Sequence, residues 1–165
     1  MRIGKRKKGC TSIPGFTLIE IMLIVAALSI LTGVTIIAIN PGKQLANVRD
    51  GQREIDISTI WSAVHQYALD NHGTLPTAIP TATLAECLAG PIDGPLGICR
   101  TDTACPVVLT ELLEQSRYLT VIPADPASST SDYSGYTIVR DSEHNNRVTV
   151  CAPATEERGV LYLPH

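Results

Sequence analysis

The chain lacks most of the marks of an enzyme. It has no Gly-x-Ser-x-Gly turn, no glycine-rich phosphate loop and no His-Glu-x-x-His pair. Nucleophile-elbow hydrolysis, nucleotide handling and zinc-protease chemistry therefore have no visible carrier. Cys-x-x-Cys and His-x-His spacings are also missing, which removes the usual frames for structural zinc. Cations are scarce past residue 15: eight of the 13 Lys and Arg lie there beside all 16 acids, a formal −8 for that stretch. That balance argues against a uniformly basic nucleic-acid groove. Arg140, His144 and Arg147 form a small basic cluster that reads as a solvated turn. His65 and His72, seven apart on one helix face, have no carboxylate or cysteine to complete a ligand set, so they read as surface or packing residues.

What the chain does have is one long apolar run. Phe16 to Ile39 is 24 residues with a single acid, Glu20. As a helix it spans roughly 36 Å at ~1.5 Å per residue, enough to cross a hydrocarbon core of about 30 Å with some tilt. Arg2, Lys5, Arg6, Lys7 and Lys8 precede it and place that end in the cytoplasm, with everything after residue 40 outside. A secretory signal would have a shorter apolar region and then a small-residue cleavage site. Here Ala26, Ala27 and Ser29 lie inside the span. A plain single-span anchor leaves Glu20 unexplained. An acid costs about +2.5 to 3.5 kcal/mol at the bilayer centre, less near an interface.

Ile13-Pro14-Gly15-Phe16-Thr17-Leu18-Ile19-Glu20 resembles the processing site of type IV prepilins and of the pseudopilins of type II secretion. The resemblance implies that a membrane peptidase cuts between Gly15 and Phe16, that Phe16 is then N-methylated, and that Glu20 serves assembly. Physical chemistry fits those identities. Glycine lets the backbone approach a protease closely. Cleavage creates an α-ammonium whose reference pKa is about 7.7–8.0. In the family the glutamate is thought to meet the N-terminus of a neighbouring subunit, and a buried charge without its partner is destabilising by about 3–5 kcal/mol.

Asn40-Pro41-Gly42 marks a kink or a restart. From Lys43 to Asn71, Leu45, Val48, Ile55, Ile57, Ile60, Trp61, Val64, Tyr67 and Ala68 recur at helical spacing, with Arg49, Asp50, Arg53, Glu54 and Asp56 on the other faces. The stripe that includes Trp61 reads as core. Asn71-His72-Gly73 and Pro76 end the helix. Thr77 to Asp102, rich in Thr, Ala, Pro and Gly, reads as an irregular connection. A short helix is expected over Val107 to Gln115. Strands are expected at Tyr133–Val139, Arg147–Ala152 and Val160–Leu163, with a polar turn over Asp141 to Asn146. Tyr118-Leu119 through Pro123-Ala124-Asp125-Pro126 resembles a segment of many pilin-like heads. The expected fold is α+β, a long N-terminal helix packed against a small antiparallel sheet. It divides into a leader (1–15), a transmembrane and assembly helix (16–40), an amphipathic stalk (41–73) and a head (74–165).

Cys10 lies in the leader, and Cys87, Cys99, Cys105 and Cys151 remain, an even number outside the cytoplasm. Two disulfides are expected, from three connectivities; Cys99 with Cys105 would pin a local loop, and Cys87 with Cys151 would tie the connection to the sheet. Some secretion pseudopilins bind calcium beside the sheet, and Asp125, Asp132 and Asp141 are the residues that would contribute. However, Ala127-Ser128-Ser129-Thr130 replaces the Trp-Gly that follows Asp-Pro in those members.

The expectation is a structural, non-catalytic subunit without a resident cofactor, single-pass in the inner membrane before assembly. Its partners would be the prepilin peptidase and methyltransferase, the inner-membrane assembly platform and other copies in a helical filament. That filament would be an extracellular pilus serving adhesion, motility or DNA uptake, or else a periplasmic pseudopilus. A membrane-anchored binding module and a tethered hydrolase are the readings from other classes.

Overall fold

A computed structural model describes residues 15–100, 105–130 and 132–163. The basic leader with Cys10 lies outside the described residues. The chain separates into two compact units, one ending at Pro41 and one running from Gly42 onward.

The first unit contributes helix α1, Leu18–Ile39. Thr17 caps it: its backbone is extended and its hydroxyl accepts the Glu20 N–H at 3.3 Å, satisfying one of the free donors of the first turn. No residue of α1 is buried. By length and composition it is the one described helix able to cross a membrane. Its hydroxyls are satisfied internally, with Ser29 donating to the Val25 carbonyl and Thr32 to that of Leu28, both at 2.8 Å. Polar groups can therefore sit in hydrocarbon without orphaned donors. Asn40, in the left-handed conformation, ends the helix.

Helix α2, Pro41–Asp70, starts with proline at its first position, where no N–H is needed. The break is thus a restart. At the far end Asn71 and Gly73 return N–H bonds to the Tyr67 and Ala68 carbonyls, with His72 and Gly73 at positive φ, a left-handed stop. Ile57, Ile60 and Val64 form the stripe that faces the core. Trp61 and Tyr67 pack against its margin as expected. Leu45, Val48 and Ile55 do not join it; all three are exposed. Asp50, Arg53 and Asp56 are buried instead, contrary to their expected place on the outer faces.

The sheet has the order β1-β3-β4-β5, with β2 also bonded to β3. Its strands are β1 (Thr81–Ala82), β2 (Gly97–Cys99), β3 (Tyr133–Asp141), β4 (Arg147–Ala152) and β5 (Leu161–Leu163). The three expected strands are present as β3, β4 and β5. The sheet is mixed rather than antiparallel because β1 runs parallel to β3, pairing Thr81 with Arg140 and Ala82 with Asp141. Arg140 anchors that approach, donating its backbone N–H to the Pro80 carbonyl and its guanidinium to the Ile79 carbonyl at 2.7 and 2.9 Å. β3 and β4 pair from Thr137↔Cys151 to Asp141↔Arg147.

Alternation then sorts the side chains. Tyr136, Ile138, Val148 and Val150 join the cluster containing the α2 stripe, along with Val107, Leu109, Leu112, Leu119 and Ile122. Val139 and Cys151 join Cys87 and Leu96 in a smaller cluster. Each fully buried Val, Leu or Ile contributes about 1.5–3 kcal/mol, so the two clusters dominate the stability of the head.

The supposedly irregular 77–102 stretch holds β1, β2 and helix α3, Leu84–Ala89. Thr83 and Glu86 cap α3 reciprocally. The expected helix over 107–115 is reduced to α4, Thr110–Leu113, followed by a 3₁₀ turn at Glu114–Ser116. Val107 bridges to Ile98 instead, which removes the helix's first turn.

Candidate functional site

The residues singled out in the sequence fall at two separate places, the start of α1 and the head. At the first, Gly15 is exposed and a side chain at that position would meet nothing within 4 Å. Phe16 is 77% exposed. Thr17 turns the chain into α1 so that Glu20 falls in the first turn, where the partial positive charge of the helix end favours a carboxylate. Among the described residues Glu20 forms no ion pair, and the apolar side chains of α1 are exposed. An open peptide bond followed immediately by a capped apolar helix with one acid can accept a protease. It can also present an anion to a cation supplied from elsewhere.

In the head two disulfides form, and their pairing is one of the three connectivities that the sequence left open. Cys87 in α3 joins Cys151 in β4 with 6.0 Å between Cα atoms, and Cys99 in β2 joins Cys105 at 6.1 Å. The first clamps α3 onto the sheet across 64 residues of sequence.

Asp125 is not open to an ion. Its carboxylate accepts the Arg53 Nε–H at 2.6 Å and a second guanidinium N–H at 3.3 Å. It also takes the backbone N–H groups of Ala127 and Ser128 at 2.8 and 2.7 Å. Gly135 makes this approach possible: at φ +89° it leaves space that a Cβ would take 2.5 Å from the Asp125 Cβ. Asp132 is exposed and bonds through its backbone carbonyl to Arg100. Asp141 ends β3 away from that site, hydrogen-bonded to His144. The three aspartates are not gathered into one shell.

Arg53 is the hub of an ionic clasp that the sequence did not suggest. It is 0% exposed at the side chain and bonds Asp50 at 2.7 Å and Glu156 at 3.2 Å as well as Asp125. Asp50 in turn receives the backbone N–H groups of Glu156, Glu157 and Arg158 at 3.0, 2.7 and 3.0 Å. Arg49 pairs with Glu156, Arg158 with Glu54 at 2.6 Å and Lys43 with Glu157 at 3.4 Å. Burial pushes the Asp50 carboxyl up, but the three N–H donors and Arg53 overcome it and hold the group well below the usual carboxylate range. Burial works against the Arg53 charge too, and Asp125 and Asp50 more than restore it. Nearby, burial and the 2.6 Å bond to Asp56 raise the Tyr136 phenol far above its ordinary value.

Tyr118 to Pro126 links these parts. The Tyr118 hydroxyl donates to Asp70 at the end of α2, Leu119 and Ile122 enter the core, and Asp125 meets Arg53. His65 stacks on Trp61 at 3.8 Å between ring centroids, and His72 lies in the turn that ends α2. The two share no ligand set. Arg140 is committed to the Ile79 carbonyl, so the Arg140, His144 and Arg147 cluster is not a joint anion site.

No family model matches the chain, and neither does any curated protein or solved structure. The class is defined by architecture alone: an α+β protein whose long apolar N-terminal helix precedes a small, disulfide-linked, mixed-sheet head, an arrangement consistent with pilins.

Proposed function

We propose that the chain is the structural subunit of a type IV pilus-like filament. It is cut after Gly15 by a prepilin peptidase, methylated on Phe16 and polymerised through its N-terminal helix. The observation that carries this reading is the solitary Glu20 in the first turn of an entirely exposed apolar helix, five residues past an open Gly15-Phe16 bond. Such an acid in hydrocarbon requires a counter-charge. The ammonium released on Phe16 of a neighbouring copy has the right sign, and a shift of about 6 Å along the helix axis, four residues at ~1.5 Å each, would bring it level with Glu20. The role is structural and not enzymatic. Before assembly the subunit sits in the inner membrane with its leader in the cytoplasm and its head outside.

Glu20→Ala tests this directly. Insertion and cleavage should be retained while surface filaments, counted by electron microscopy of sheared fractions, fall sharply. Normal filament numbers would overturn the proposal and favour a membrane-anchored binding module, which has no need of the acid.

A further inference from the structure

A cavity of about 550 Å³ opens where the stop of α2, the crossing to β1 and the β3–β4 hairpin meet, within the range of about 300–1,000 Å³ usual for small-molecule sites. Gly73 and Thr74 come from the first, Thr77 and Thr81 from the second, Arg140 and Asn146 from the third. No acid lines it, although the chain carries 16 acids to 13 Lys and Arg. Its one charged wall residue is Arg140.

Arg140 is placed unlike the other cations. Lys43, Arg49, Arg53, Arg117 and Arg158 all meet carboxylates. Among the described arginines without one, Arg100 and Arg147 are exposed, whereas Arg140 is half-buried. Its Nε and Nη2 donate to the Ile79 carbonyl, which fixes the guanidinium without neutralising it. Nη1 has no hydrogen-bond partner among the described residues, yet it is not sealed away from solvent. A guanidinium drawn partly out of water, with N–H donors to spare, favours an anion.

The rest of the wall narrows the choice of anion. The Thr77 hydroxyl donates to Glu111 at 3.1 Å, so its oxygen is left to accept. Thr74, Thr81 and Asn146 are exposed, and their side chains both donate and accept. Phosphate offers mainly acceptors and brings extra negative charge toward Glu111. A carboxylate carried on a ring of hydroxyls gives Arg140 a single negative charge and the other side chains both kinds of partner. His144 and Arg147 do not line the cavity.

We propose that this cavity binds an acidic sugar, with its carboxylate on Arg140 Nη1 and its hydroxyls on Thr74, Thr77, Thr81 and Asn146. The site depends on neither cleavage nor polymerisation.

The test follows the amide resonances of the isotope-labelled full chain in detergent micelles by NMR. Sodium glucuronate, glucose or inorganic phosphate is added at constant ionic strength. Glucuronate should give saturable shifts at Gly73, Thr74, Thr81 and Asn146. Glucose and phosphate should bind at least about tenfold more weakly, since one lacks the charge and the other the hydroxyl ring. Asn146→Asp puts an acid on the wall and should weaken glucuronate about tenfold or more. Asn146 is exposed and left-handed, a conformation aspartate also adopts, so that variant keeps the fold. Arg140→Gln should abolish the glucuronate shifts; because it also releases the Ile79 carbonyl, Asn146→Asp supplies the independent reading. No saturable shift at those amides, glucose or phosphate bound as tightly as glucuronate, or glucuronate affinity unchanged in Asn146→Asp would each overturn the proposal.

Discussion

Arg53 shows how a polar side chain can hold a small head together. It sits on α2 with no exposure, yet it meets Asp50, Asp125 and Glu156, groups drawn from three separate stretches of chain. Removing one partner of a buried ionic group is far more damaging than removing an exposed pair, because the remaining charges lose their counter-charge without regaining water. Arg53→Met should therefore cost about 3–5 kcal/mol, whereas Arg158→Ala, which breaks the exposed pair with Glu54, should cost less than about 1 kcal/mol. Urea unfolding followed by the single tryptophan, Trp61 at the core margin, would read both. Equal losses would contradict the clasp. None of this was legible in the sequence. Arg49, Asp50, Arg53, Glu54 and Asp56 look like the wet side of an amphipathic helix. Only the fold brings Glu156 to Arg158, about a hundred residues on, against them. Gly15, Phe16 and Glu20 stand out in the sequence, where the proposal takes them from, because their pattern is local: an apolar run makes one acid conspicuous.

At the level of elements, periodicity succeeded where runs were long and failed where they were short. α2, β3 and β4 carry enough turns or alternations for their type to be read, and their bounds were found to within a few residues. β1 and β2 have two and three residues, too few to show any period, and parallel pairing of β1 depends on the chain returning from α2. α3 did leave a trace, since Thr83-Leu84-Ala85-Glu86 is a capping-box pattern hidden among Pro, Thr and Ala. Because α3 contributes few core residues, the Cys87–Cys151 bridge carries much of its attachment to the sheet. Replacing both cysteines with alanine should cost about 2–5 kcal/mol, as loss of a native disulfide does in small exported domains. Hydrogen exchange should show lost protection confined to α3 and its neighbours on that face. Exchange unchanged throughout α3 would show that the bridge is dispensable to its docking.

For the whole molecule, the clasp sets how the head responds to acid. Asp50, Asp125 and Glu156 all titrate below their ordinary values when folded. A carboxyl depressed in the folded state adds stability above its unfolded pKa and loses it as pH falls. The head should therefore be nearly constant in stability from neutral pH down to about 5, then weaken progressively below about 4. Denaturant midpoints across that range would measure it, and a loss centred near neutrality would contradict the assignment. The proposed assembly rests on the other end of the chain, where the acid in the first turn of α1 is to meet the α-ammonium that the proposed processing creates. The most direct measurement is the intact mass and N-terminal sequence of the protein recovered from cells that possess the peptidase. The account predicts a chain beginning at N-methylated Phe16; a chain still carrying Met1 or Arg2 at its terminus would contradict it.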